Sequence, residues 1–139
     1  MPISLPPPIE LWLKEVEPFY CVEFGERFWF IESLESLEKP TNVNGNVTPS
    51  WCQLQSYVKM YREVFDGQEY LLDNKSQEFT FKRLNSCIAI GDDNGDPLFI
   101  DPSTNYSVWC LYHDGADIEK LSEDFTQFSN TAKPIHEET

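Results

Sequence analysis

Histidine is nearly absent from this chain, with only His113 and His136 among 139 residues. A histidine-built metal site or a nucleophilic triad has little to draw on. Cationic side chains are scarce as well: 10 Lys and Arg stand against 24 Asp and Glu, a net charge of −14. Such a surface repels nucleic-acid phosphates and anionic lipid, which argues against nucleic acid or a membrane as partner; it either attracts a basic protein or simply keeps the protein in solution. The four cysteines, Cys21, Cys52, Cys87 and Cys110, include no C-x-x-C pair. Neither a disulfide framework nor a zinc site is expected from that spacing, and the thiols are expected to be reduced. No apolar run approaches the ~20 residues of a membrane span. The stretch Met1 to Pro8 lacks the basic and apolar regions of a signal peptide, so the expectation is a cytoplasmic protein. Glycines are few, and Gly91-Asp92-Asp93-Asn94-Gly95 would set two anions where a phosphate would have to sit.

What the chain does have is aromatic bulk, with 10 Phe, 6 Tyr and 4 Trp. These supply enough buried area for one core, read as a single domain over residues 1–130 with a polar tail, 131–139, expected to fray. Ile9, Trp12, Leu13 and Val16 follow three prolines at helical spacing, and Pro18 ends that helix. Phe19 to Phe24 and Arg27 to Ile31 flank Gly25-Glu26, which predicts a hairpin with a type II′ turn. Ser33 to Lys39 suits one helical turn, and Pro40 to Asn46 reads as a polar loop. Trp51, Leu54, Val58, Tyr61 and Phe65 form the clearest helical stripe, with Thr48 as N-cap and Gly67 just past its end. Glu78 to Lys82 alternates as a half-buried strand does.

The richest stretch is the last third. Ile88-Ala89-Ile90-Gly91-Asp92-Asp93 and Leu98-Phe99-Ile100-Asp101 are apolar strands around an Asn94-Gly95 turn signal. Ser107-Val108-Trp109-Cys110-Leu111-Tyr112 is a third strand, and Asp124 with Gln127 forms a capping box ahead of a short final helix. This segment resembles the C-terminal half of the SUKH superfamily, with its "IGDDGGGD-LxLD" hairpin, its "VYxxxHD" strand and its "LAxSFxxFL" element. Leu5-Pro6 followed by Ile9 to Lys14 is similar to the "LPxxYxxFL" helix of the same superfamily, although Glu17-Pro18 stands where Asn-Gly-Gly is usual. The resemblance implies an α+β domain: a central, mostly antiparallel sheet of about five or six strands flanked by helices. It also implies an immunity protein that neutralises a cognate polymorphic toxin, for example a nuclease, by stoichiometric occlusion. The alternative is an intracellular scaffold or regulatory module of the same superfamily, and a small metal- or ligand-binding enzyme stands behind both.

Chemistry of other kinds finds little support. Counted from Asp92 as a calcium loop, Pro97 falls where glycine is required and Ser103 where the bidentate glutamate should be. The segment is therefore read as a turn, with no metal and no cofactor. His113-Asp114 is a general-base pair in form only, and Cys87 and Cys110 lie in apolar runs that quieten a thiol. No catalytic residue is assigned. Residues 90–139 hold 11 acids and 2 bases, so partner binding is expected there, on Asp92, Asp93, Asp96 and Glu119. Trp109 or Tyr112 is the candidate aromatic anchor, the alternative being that both rings belong to the core.

Overall fold

The computed structural model describes residues 3–19 and 21–135. Helix α1 (Pro7–Val16) buries the four residues of its apolar stripe, and Lys14 pairs with Glu10 one turn away at 3.3 Å on the solvent side. A hairpin follows, β1 (Cys21–Phe24) and β2 (Arg27–Ile31), then a single turn α2 (Leu34–Leu37) capped by the Ser33 hydroxyl. Gly25 and Glu26 both have positive φ, 61° and 64°, so the turn is of type I′ rather than the expected II′.

The expected polar loop is instead a second hairpin, β3 (Pro40–Val43) and β4 (Asn46–Pro49), turning at Asn44-Gly45. Thr48 is therefore a strand residue and caps nothing. A 3-10 turn at Ser50–Cys52 leads into α3 (Leu54–Val64), whose Leu54, Val58 and Tyr61 are buried as their spacing requires. A third small hairpin, β5 (Tyr70–Leu72) with β6 (Glu78–Thr80), runs into the one-turn helix α4 (Phe81–Leu84).

The meander is β7 (Ile88–Asp93), β8 (Asp96–Asp101), β9 (Ser107–Tyr112) and β10 (Asp117–Ser122). The last of these is a strand that residues 117–122 do not advertise in sequence. Helix α5 (Phe125–Thr131) then begins at Asp124, whose carboxylate accepts from Gln127 N at 2.7 Å, while the Gln127 side chain accepts from Glu123 N. The supposed tail contributes a two-residue strand, β11 (Lys133–Pro134), paired with β1 through Val22 and Glu23. Backbone pairing therefore fixes part of the segment expected to fray, and residues 136–139 of that tail lie outside the described residues.

These elements form an α+β fold around one seven-stranded antiparallel sheet, in the order β10-β9-β8-β7-β2-β1-β11. Alternation along each strand gives the sheet two faces. Trp29, Ile31, Ile90, Leu98, Val108 and Cys110 meet α1, α2 and α5. Phe99, Trp109, Leu111 and Ile118 meet α3, α4 and the β5–β6 hairpin. Both faces of the central strands are thus covered, which is why β8 and β9 read as unbroken apolar runs. A β-bulge between Ala89 and Gly91 interrupts the alternation of β7. Strict alternation from Ile88 and Ile90 would put Asp92 on the α1 face. The bulge instead pairs Gly91 with Ile31 and Asp92 with Phe30, so Asp92 emerges on the opposite face and Asp93 on the α1 face.

Candidate functional site

Antiparallel pairing brings three turns to one end of the sheet: Gly25-Glu26, Asn94-Gly95 and residues 113–116. Asn94 and Gly95 take φ of 51° and 88°, the left-handed pair that a type I′ turn needs and that Asn-Gly adopts most readily. Glu26, Asp92, Asp93, Asp96, Asp114 and Asp117 converge there, so most of the acidic residues singled out above share one rim.

On the α1 face the rim is partly neutralised from within. Arg27 donates from Nε to Asp93 Oδ2 at 2.8 Å and from Nη2 to Asp96 Oδ2 at 3.4 Å. Its guanidinium lies 4.3 Å from the Trp29 ring centroid and 5.4 Å from that of Tyr112, two cation–π contacts. Burial works against the Arg27 charge, but the hydrogen bond and charge of Asp93 outweigh it and hold its proton more tightly than usual. The Tyr112 hydroxyl donates to Glu119 Oε1 at 2.6 Å. Burial and that bond push its pKa up to about 12. Asp96 Oδ1 also lies 2.6 Å from His113 Nδ1, and His113 Nε2 lies 3.1 Å from Asp114. Asp93, Asp96, Tyr112 and Glu119 are thus brought together, and they spend much of their hydrogen-bonding capacity on one another and on Arg27.

Trp109 is not an anchor. It is 3% exposed, packs edge-on against Phe79 at 4.9 Å, and donates from Nε1 to Ser107 Oγ at 2.7 Å. The sequence left it open between anchor and core, and it is core, because β6 and α4 cover its face of β9. Asp101 lies apart from the acidic rim, fully buried at the far end of β8 beside Arg83.

The other face differs. Phe28 and Phe30, on the side of β2 away from Trp29 and Ile31, are 56% and 46% exposed. Beside them lies a cavity of about 270 Å³ lined by Phe30, Glu32, Asn42, Gln53, Tyr57 and Asp92. Among the described residues no cation pairs with either Glu32 or Asp92. Glu32 accepts from Ser36 Oγ at 3.0 Å and from Ser50 Oγ at 2.8 and 2.6 Å. Burial raises its carboxyl above the ordinary range, the two serines oppose that, and the charge of Asp92 adds to it. The Tyr57 hydroxyl is raised by burial and by Asp96, Asp92 and Asp114, so the negative field of the rim reaches into this cavity. None of Phe28, Phe30, Glu32 and Tyr57 belonged to the binding surface expected in residues 90–139. From Phe28 to Ile31 both faces of β2 are apolar, so alternation does not say which face is covered.

Glu32 yields a prediction. A carboxyl raised in the folded state supports stability fully below its unfolded pKa, and that support is lost as pH rises through the folded value. Glu32→Gln should therefore gain on the wild type as pH climbs from about 4.5, near the ordinary glutamate value, to 7. Urea midpoints at several pH values measure the difference, and a gap that is flat or shrinks with pH would contradict it.

Among the described residues, no group of three or more His, Cys, Asp or Glu side chains is placed to hold a metal ion. The four cysteines are free thiols, and burial pushes the Cys110 pKa up to about 12 despite the opposing charge of Arg27. No helix among the described residues is long and apolar enough to cross a membrane. Compared with known proteins, the chain matches no family model, no curated protein and no solved structure.

Proposed function

We propose that this protein is a stoichiometric inhibitor that binds a basic partner, a toxin domain in the manner of the SUKH immunity proteins its sequence resembles. The observation that carries the reading is the convergence of Glu26, Asp92, Asp114 and Asp117 at one end of the sheet, next to exposed aromatics. A field of one sign steers an oppositely charged protein toward the patch, raising the encounter rate by ~10-fold or more at low salt. Occlusion of a basic substrate cleft needs only surface and charge from the inhibitor, and no reacting group is assigned to this chain. Arg27 has a supporting role in this reading. By offsetting one of the two charges of Asp93 and Asp96 it helps three acidic turns pack side by side, leaving the outer carboxylates to face the partner.

The test is association with the toxin domain encoded beside this gene, followed by surface plasmon resonance. A variant with Glu26→Gln, Asp92→Asn, Asp114→Asn and Asp117→Asn leaves the Arg27 pairs intact. Its association rate should fall about tenfold at low salt, and the deficit should narrow at physiological salt, where screening acts over ~8 Å. An unchanged rate at both salts would make the acidic rim a solubility feature, and absence of any complex with the wild type would end the inhibitor reading.

A further inference from the structure

Two acidic–aromatic clusters in this fold each hold an arginine of the chain itself. Arg27 sits between Asp93 and Asp96 with its guanidinium over Trp29 and Tyr112. Arg83 pairs with Asp101, its guanidinium 4.1 Å from the Phe79 centroid and 5.1 Å from that of Trp109. The cavity beside β2 repeats the composition, with carboxylates from Glu32 and Asp92 and rings from Phe30 and Tyr57, and no cation of the described chain pairs with it. We infer that this cavity receives an arginine side chain of the bound partner, with Phe28 and Phe30 forming the apolar platform on which the flanking segment rests.

The chemistry favours that occupant on three counts. At about 270 Å³ the cavity falls just below the ~300–1,000 Å³ of small-molecule sites, and suits a single inserted side chain. A planar guanidinium can take a carboxylate along its edge while an aromatic ring covers its face, which a compact ammonium cannot match. The Gln53 side-chain amide at the wall, whose Nε2 donates to Ser50, offers its oxygen as a neutral acceptor for a remaining N–H group. Position agrees as well, since Asp92 joins this cavity to the acidic rim, so a partner steered to the rim meets the cavity at its border. Glu32, fixed by Ser36 and Ser50, presents its charge without rearrangement.

The inference rests on the inhibitor reading for the nature of the partner, while the cavity chemistry can be tried without one. The probes are a ten-residue peptide of alternating arginine and leucine and its lysine counterpart, titrated by fluorescence anisotropy at physiological salt. The wild type should bind the arginine peptide more tightly than the lysine one, and Phe30→Ser or Asp92→Asn should each weaken it about tenfold. Glu15→Gln with Glu17→Gln removes two charges from α1 on the opposite face and should leave binding within about twofold. Equal losses in all these variants, or equal affinity for the two peptides, would reduce the effect to diffuse charge and overturn the inference. In cells, a Phe28→Ser, Phe30→Ser double variant that protects against the toxin as well as the wild type would also overturn it while the inhibitor reading stands. Wild type that binds the arginine peptide through these residues but gives no protection would sink the inhibitor reading and leave the cavity assignment standing.

Discussion

Replacing Asp101 with alanine should lower the unfolding free energy by about 3 kcal/mol, the low end of the cost of breaking a buried ion pair, because the Arg83 end is partly open to water. The Asp101 side chain is fully buried and collects four donors. Oδ1 accepts from Ser103 N at 2.9 Å and Ser103 Oγ at 2.7 Å, and Oδ2 from Thr104 Oγ1 at 3.0 Å and from Arg83 Nε. Alanine would leave the Arg83 guanidinium without its counter-charge, pressed against Phe79 and Trp109, and would undo the cap of the 3-10 turn at Pro102–Thr104. Burial pushes the Asp101 carboxyl up, but the bonds from Ser103 and Arg83 outweigh it and hold the group below the ordinary aspartate range. A depressed carboxyl supports stability above its unfolded pKa, about 3.9, and that support disappears as pH falls through the folded value. The deficit of Asp101→Ala in urea unfolding should accordingly be full at pH 7 and shrink below about pH 4. A loss under about 1 kcal/mol at pH 7 would show that the pair merely breaks even.

Gly91→Ala should be the most damaging change near the candidate site. A Cβ at Gly91 would lie 2.1 Å from the Phe30 carbonyl oxygen and 3.3 Å from Ile31 Cα, both backbone atoms that cannot swing aside. Accommodating it requires β2 and β7 to part at the bulge, costing about 3 kcal/mol and lowering the melting temperature by roughly 10 °C. Parting these strands also separates Phe30 from Asp92, so binding should fall with stability. Gly115→Ala is the control: its Cβ would meet the Asp117 carboxylate at 2.7 Å, a side chain free to turn toward solvent. Differential scanning calorimetry of the two variants decides the matter. Equal melting temperatures would mean that the bulge relaxes without cost.

Several elements could be read from residues close in sequence, because their causes are local. The α1 stripe needs only four apolar positions at helical spacing behind prolines. The turn of the β7–β8 hairpin needs only the ease with which Asn94-Gly95 adopts left-handed backbone. The α5 start needs only Asp124 within reach of Gln127 N. Misreadings also had local causes. Thr48-Pro49 is a good helix opening in isolation, but its backbone is drawn into pairing with residues 40 and 41. Residues 117–122 alternate too weakly to show a strand, and pair because β9 offers them an edge.

The candidate site was half legible. Charge alone pointed to Asp92, Asp93, Asp96 and Glu119, and three adjacent antiparallel turns do gather the aspartates. Which of them face outward was not legible, because Arg27, some sixty residues earlier in the chain, takes up Asp93 and Asp96. The bulge decides the side on which Asp92 emerges, and one extra residue reverses every position after it.

The sequence by itself determined the acidic character and turns such as Asn94-Gly95, since these follow from composition and from neighbours within four residues, while the α+β class was what the family resemblance implied. Tertiary structure alone decided which aromatics are buried. Trp109 and Phe30 both sit in apolar strand runs, yet one is sealed beneath β6 and α4 and the other stands open beside the cavity. Burial of a strand residue depends on what covers its face of the sheet, and the covering elements come from distant parts of the chain.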